Sequence, residues 1–121
     1  MQTTAVFALM HLNLDVRDLD VCERFYRDTL GLPIERREAS LAIHQPGFFL
    51  VLARGEPKMG GSFHFGFRVA TKPDVDAWFA RLREAGVPIV NEPASAGTVY
   101  VGRVRDPDGY GIEIYAETAA G

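Results

Sequence analysis

Leu12, Leu14 and Val16 alternate with His11, Asn13 and Asp15 within the stretch Val6–Val16. This period of two predicts a strand with one buried face. Asp18 is placed to cap a helix, and Val21, Cys22, Phe25, Tyr26 and Leu30 then recur at helical spacing until Gly31 and Pro33 stop it. Cys22 lies on that apolar stripe and reads as packing. Three short strands are expected next, at Ile34–Glu38, Leu41–His44 and Phe48–Ala53, separated by turn-prone residues such as Gln45-Pro46-Gly47.

The order then repeats. Beyond a Gly- and Pro-rich stretch, Phe63, Phe65, Phe67 and Val69 alternate with His64, Gly66 and Arg68. Thr71-Lys72-Pro73-Asp74 opens a second helix, whose stripe is Val75, Trp78, Phe79, Leu82 and Ala85 and whose stop is Gly86 with Pro88. Trp78 and Phe79 are therefore expected in the core. Strands are predicted at Ile89–Asn91, Thr98–Val104 and Gly111–Ala116. His11 and His64, Val21 and Val75, and Gly31 and Gly86 stand at nearly the same offset, and the two helix stops read Gly31-Leu-Pro-Ile and Gly86-Val-Pro-Ile. The pattern predicts an internal duplication of a β-α-β-β-β unit. The expected organisation is one α+β domain over residues 1–121, with a first module at 5–55, a linker at 56–62 and a second module at 63–117.

Composition narrows the function classes. The chain has 121 residues, 47% of them hydrophobic and 24% charged, the balance of a folded domain. Its net charge of −3 speaks against non-specific binding to nucleic acid or an anionic membrane, both of which require a cationic face. A single cysteine excludes an intramolecular disulfide and a cysteine-rich zinc site. The apolar run Ala5–Met10 is too short for a signal core or a membrane span, so a cytoplasmic protein is expected.

The duplication gives two histidines a meaning that neither has alone. His11 and His64 fall at equivalent points of equivalent strands, each on the face away from the buried residues. Glu113, between Ile112 and Ile114, lies on the same kind of face after the tight turn Asp106-Pro107-Asp108-Gly109. Two imidazoles and a carboxylate form a facial set suited to Fe, Mn, Ni, Co or Zn, with positions left open for a water or for two substrate oxygens. Arg68, Arg103 and Arg105 share a polar face on which one guanidinium could take an anionic group.

Four segments carry a resemblance: His11-Leu-Asn-Leu-Asp-Val, Phe25-Tyr-Arg-Asp-Thr-Leu-Gly31, His64-Phe-Gly-Phe-Arg-Val and Asp106-Pro-Asp-Gly-Tyr-Gly-Ile-Glu113. Together they resemble the vicinal oxygen chelate superfamily of glyoxalases, extradiol dioxygenases, fosfomycin-resistance thiol transferases and bleomycin-binding proteins. The resemblance implies paired β-α-β-β-β modules forming a cupped mixed sheet, and one divalent metal on His11, His64 and Glu113. It implies a small-molecule substrate chelated through vicinal oxygens, by a dioxygenase, lyase or thiol-transferase reaction. Glyoxalase I carries a further ligand or base on the last strand of the first module, where this chain has Val51, and that disfavours its chemistry. For a dioxygenase, the resemblance offers His44 as acid–base group and Tyr100, Tyr110 or Tyr115 as the tyrosine near the metal. Asn13, Phe49 and Arg103 are the expected substrate contacts. A homodimer with sites shared between subunits is implied as well. The alternative is a metal-free drug- or small-molecule-binding protein of the bleomycin-resistance type.

Overall fold

The computed structural model describes residues 8–118. The chain divides between Lys58 and Met59 into two compact units. The first contains β1 (His11–Val16), α1 (Leu19–Glu23), β2 (Ile34–Arg36), β3 (Ser40–Gln45) and β4 (Phe48–Arg54). Its sheet runs β1-β4-β3-β2, with β1 parallel to β4 and the other pairs antiparallel.

Local chemistry explains α1. The Asp18 carboxylate accepts from the amides of Asp20 and Val21 at 2.9 and 3.1 Å, satisfying donors that a helix start leaves bare. The helix widens into a π-helical turn over Arg24–Thr29, where the Leu30 amide reaches five residues back to the Phe25 carbonyl at 3.0 Å. Leu19, Cys22, Phe25, Tyr26 and Leu30 are buried, and so are Leu14, Val16, Leu41, Ile43, Leu50 and Leu52 from the sheet. These side chains make the core of the first unit, and Cys22 is part of its packing.

The second unit repeats the arrangement. It contains β5 (His64–Arg68), α2 (Lys72–Glu84), β6 (Ile89–Ala96), β7 (Val99–Arg105) and β8 (Gly111–Glu117), in a sheet ordered β5-β8-β7-β6. Again the first and last strands pair in parallel. Thr71 and Asp74 form a reciprocal capping box with Pro73 in the first turn of α2. Val75, Phe79 and Leu82 of α2 are buried with Val104, Ile112, Ile114 and Ala116 of the sheet. Gly31 and Gly86, both at positive φ (72° and 79°), end the two helical segments as the repeated stop motif predicts.

Three expectations are corrected in detail. The strand expected from Val6 begins at His11; Val6 and Phe7, like the module's opening residues 5–7, lie outside the described residues. The strand expected to end at Asn91 continues to Ala96 through register shifts between Ile89 and Ala94. Pro93 lies in that irregular stretch and is tolerated because β6 is a sheet edge, where a missing amide breaks no ladder on its outer side. Trp78 is only half-buried, with the Arg81 guanidinium 4.8 Å over its ring, while Phe79 takes the core position.

Candidate functional site

In the second unit, the sheet's two faces separate sharply by strand phase. Gly102, Val104, Ile112 and Ile114 face α2, and a Cβ built on Gly102 would lie 2.8 Å from Phe79 Cε1. The opposite face carries His64, Gly66 and Arg68 on β5, Gly111, Glu113 and Tyr115 on β8, and Val101 and Arg103 on β7. The hairpin before β8 is held by Asp106, whose buried carboxylate accepts from the amides of Asp108 and Tyr110, both at 2.9 Å. That turn sets the register in which Glu113 pairs with Arg103 on one side and Gly66 on the other.

His64 and Glu113 meet diagonally, with glycine opposite each of them. His64 pairs with Gly111, and Glu113 with Gly66. A Cβ on Gly66 would sit 3.2 Å from the Glu113 carbonyl oxygen and 3.3 Å from its Cβ; one on Gly111 would sit 3.3 Å from His64 Cβ. Neither glycine has a positive φ, so what they provide is room for two larger side chains to lean together. The result is His64 Nε2 at 3.5 Å from Glu113 Oε2.

The histidine is also oriented. Its Nδ1 lies 2.6 Å from the Ser62 carbonyl oxygen, which can only accept, so Nδ1 carries the proton of that bond. In the neutral ring Nε2 then presents its lone pair towards Glu113. A ring nitrogen tied to a backbone carbonyl, with the other nitrogen left for a cation, is the usual outer-shell arrangement of a metal-ligating histidine. Two electron-pair donors facing one another at this spacing suit a shared cation, so this donor set fits a divalent metal.

Arg103 completes the cluster. Its Nη2 donates to the same Glu113 Oε2 at 2.8 Å, and Arg103 Nε is buried without a hydrogen-bond partner. Leaving such a donor unsatisfied costs about 1–3 kcal/mol. A cavity of about 280 Å³ adjoins the pair, lined by Asn91, Ser95, Arg103 and Glu113 among others.

The first unit carries the other expected residues. His11 stacks on Phe49, ring centroids 5.1 Å apart and planes 13° off parallel, while the His44 ring centroid lies 6.0 Å from that of the same phenyl ring, tilted by 34°. Register explains the ladder, since Phe49 on β4 is opposite His11 on β1 and His44 on β3. His44 Nε2 is 3.2 Å from Glu35 Oε1, and the Arg37 guanidinium, followed by His44, holds the Glu35 carboxyl below its ordinary value. Asn13 pairs with Val51, on the same face as His11. By register Val51 is the first unit's counterpart of Glu113, and Ala42 that of Arg103.

His64, Glu113 and Arg103 are thus brought together in one unit, and His11, Asn13, Phe49 and His44 share one sheet face in the other. Tyr100 is not brought to Glu113. It shares the phase of Gly102 and Val104, on the helix face, where its hydroxyl donates to Asp76 Oδ1 at 2.6 Å. That bond raises the phenol above its ordinary value of 10.0, which keeps it protonated. Tyr115 is the tyrosine on Glu113's face, its ring close enough that a Cβ on Gly66 would be 3.4 Å from Cε1. Gly66, Gly111 and the Ser62 carbonyl escaped sequence reasoning. Glycines in the same strand phase as His64 and Glu113 were the available signal. Within neither unit do the described residues gather three His, Cys, Asp or Glu side chains.

Repeated β-α-β-β-β units, each with its first and last strands paired in parallel, define a class of small α+β proteins. The chain belongs to the Glyoxalase/Bleomycin resistance protein/Dioxygenase superfamily, whose family model matches residues 8–114. It is 31% identical to a probable lactoylglutathione lyase of Synechocystis, over 88% of this chain and 92% of that one. It is 30% identical to glutathione transferase FosA of Serratia marcescens, over 93% and 83%. Among solved structures, lactoylglutathione lyase from Agrobacterium tumefaciens superposes with a TM-score of 0.79 at 24% identity, over 93% and 96% of the two chains, which establishes the shared fold. No helix among the described residues is long and apolar enough to cross a membrane.

Proposed function

We propose that the protein is a divalent-metal-dependent enzyme that chelates vicinal oxygens of a small-molecule substrate, with His11, His64 and Glu113 as the ligands. The observation that supports it most is the His64 ring, tied through Nδ1 to the Ser62 carbonyl and turned with Nε2 towards Glu113. His11 is the third ligand because it holds on β1 the position that His64 holds on β5. An ion of Fe, Mn, Ni, Co or Zn would supply Lewis acidity and a template for two substrate oxygens. The chain's own residues do the rest. Glu113 supplies negative charge, His64 and His11 neutral donors, and Asn13 and Phe49 contact the substrate. His44, positioned by Glu35, is the acid–base group.

Among the reaction types, the valine at Glu113's counterpart position favours chemistry that needs three protein ligands. Val51 is 9% exposed and can neither bind a metal nor move a proton. This weighs towards a thiol-transferase or dioxygenase reaction and away from the proton transfer of glyoxalase I, even though relatives named for both transferase and lyase activity are similar in sequence. Tyr100 has no role in this reading.

We further propose a cytoplasmic homodimer in which each site takes His11 from one subunit and His64 and Glu113 from the other. Mixing His11→Ala with Glu113→Ala subunits tests both ligand set and sharing. Recovery of one high-affinity metal site per mixed dimer is expected. Mixed dimers that bind no better than either parent refute the shared geometry. Wild-type protein that binds none of the five metals refutes the enzyme reading in favour of a metal-free binding protein.

A further inference from the structure

The Arg103–Glu113 contact involves the carboxylate oxygen that also lies nearest His64 Nε2. A cation between His64 and Glu113 must therefore compete with, or share an oxygen with, a guanidinium already in place. Charge repulsion alone sets the two against each other. The guanidinium is also incompletely satisfied where it stands, since its Nε is buried with no acceptor. Beside it lies the cavity, where Asn91, paired with Arg103 on the same sheet face, has an amide able to donate to an anion, and where two acidic residues, Glu92 and Glu113, also line the wall. Glu92 is itself ion-paired with Arg83. The first unit has no comparable pair, because Ala42 and Val51 occupy the counterpart positions. The charge pair therefore belongs to the half-site that holds Glu113, and does not arise from the repeated fold.

Resting on the metal reading above, we propose that Arg103 is a movable counter-ion. It pairs with Glu113 when no metal is bound, and it passes to an anionic group of the substrate in the Asn91–Ser95 cavity when a metal takes the carboxylate. The substrate class is accordingly a small molecule with an anionic group, carboxylate or phosphonate, next to its chelating oxygens. An anion there would satisfy the guanidinium's unused donors, as bidentate arginine–oxyanion pairs do. Metal and anion consequently bind with positive coupling. By linkage, the factor by which the anion tightens the metal equals the factor by which the metal tightens the anion.

Calorimetric titration of the full chain with Ni(II), with and without methylphosphonate, tests this without relying on turnover. In wild type, methylphosphonate is expected to tighten Ni(II) by about tenfold. Arg103→Gln is expected to bind Ni(II) alone about tenfold more tightly than wild type and to lose the effect of methylphosphonate. A merely structural arginine gives the opposite sign, because its loss would slacken Glu113 and weaken Ni(II). Wild-type binding indifferent to methylphosphonate overturns the proposal without any variant, and so does coupling that persists in Arg103→Gln. If Glu113→Gln binds Ni(II) as well as wild type, Glu113 is not a ligand, and the metal reading falls together with this one.

Discussion

Substituting Gly66 by alanine separates the site from the fold. A Cβ at this position meets the Glu113 carbonyl oxygen at 3.2 Å, Glu113 Cβ at 3.3 Å and Tyr115 Cε1 at 3.4 Å. Each contact is tight by a few tenths of an ångström, and two of the three are to atoms fixed by the β8 backbone. The strand free to move is β5, which is a sheet edge. Overpacking costs about 1 kcal/mol at the mild end of its range. Replacing glycine at an ordinary φ recovers about 0.4–1 kcal/mol by restricting the unfolded chain. The two nearly cancel, so the melting temperature is expected to change by no more than a few degrees. The site has no such compensation. His64 moves with β5 while Glu113 stays on β8, and a ligand pair displaced by about 0.5 Å leaves its productive geometry. A drop of about tenfold in Ni(II) affinity is expected, equivalent to about 1.4 kcal/mol. Calorimetry for the metal and thermal unfolding without it give the two numbers. A variant that binds Ni(II) as wild type does, or loses affinity only in step with stability, would refute the idea that the glycines set the site.

Two further substitutions act elsewhere. Gly102→Ala drives a Cβ to within 2.9 Å of Phe79 Cε1 and Cε2 in the core under α2, so a loss of about 1–3 kcal/mol is expected in denaturant melts, with Ni(II) affinity of the folded protein unchanged. Arg36 donates to Asp20 and Glu23 at 2.8 Å each, and its hydrogen bond is the largest cause holding both carboxyls below their ordinary values of 3.8 and 4.5. Depressed carboxyls stabilise the fold above their unfolded values and cease to as pH falls through the folded ones. Arg36→Gln is therefore expected to flatten the decline in melting temperature from about pH 5 to about pH 3, and an unchanged slope would show that Arg36 contributes nothing.

The elements were legible where a local rule decides them. Asp18 and Thr71 cap their helices, Gly31 and Gly86 stop them, and Asp106 builds the hairpin that registers β8, all within a few residues of sequence. What depends on register across strands was not legible. The diagonal pairing of His64 with Glu113, and the approach of Arg103 to the same carboxylate, require knowing which residue faces which across β5, β8 and β7. The strand phase of Tyr100 was legible, by contrast, because counting in twos from the apolar Val104 places it on the helix face. The helical stripe misled at Trp78, where one turn has room for a single large ring in the core and Phe79 fills it.

His11 and His64 each stand on the strand that opens the chain order of their unit and lies at the edge of its sheet. β1 and β5 are edges, joined in parallel to the last strand of their unit, while β2–β3–β4 and β6–β7–β8 are sequential antiparallel neighbours. Neighbouring antiparallel strands close small loops and form early; a parallel strand separated by a helix and two strands closes a large one and forms late. His64 and Glu113, the pair proposed to hold the metal, therefore meet late in folding, when β5 docks on β8. On the metal reading proposed above, a pulse of metal during refolding becomes a clock for the late steps, silent while the hairpins form and responding only after β5 has docked.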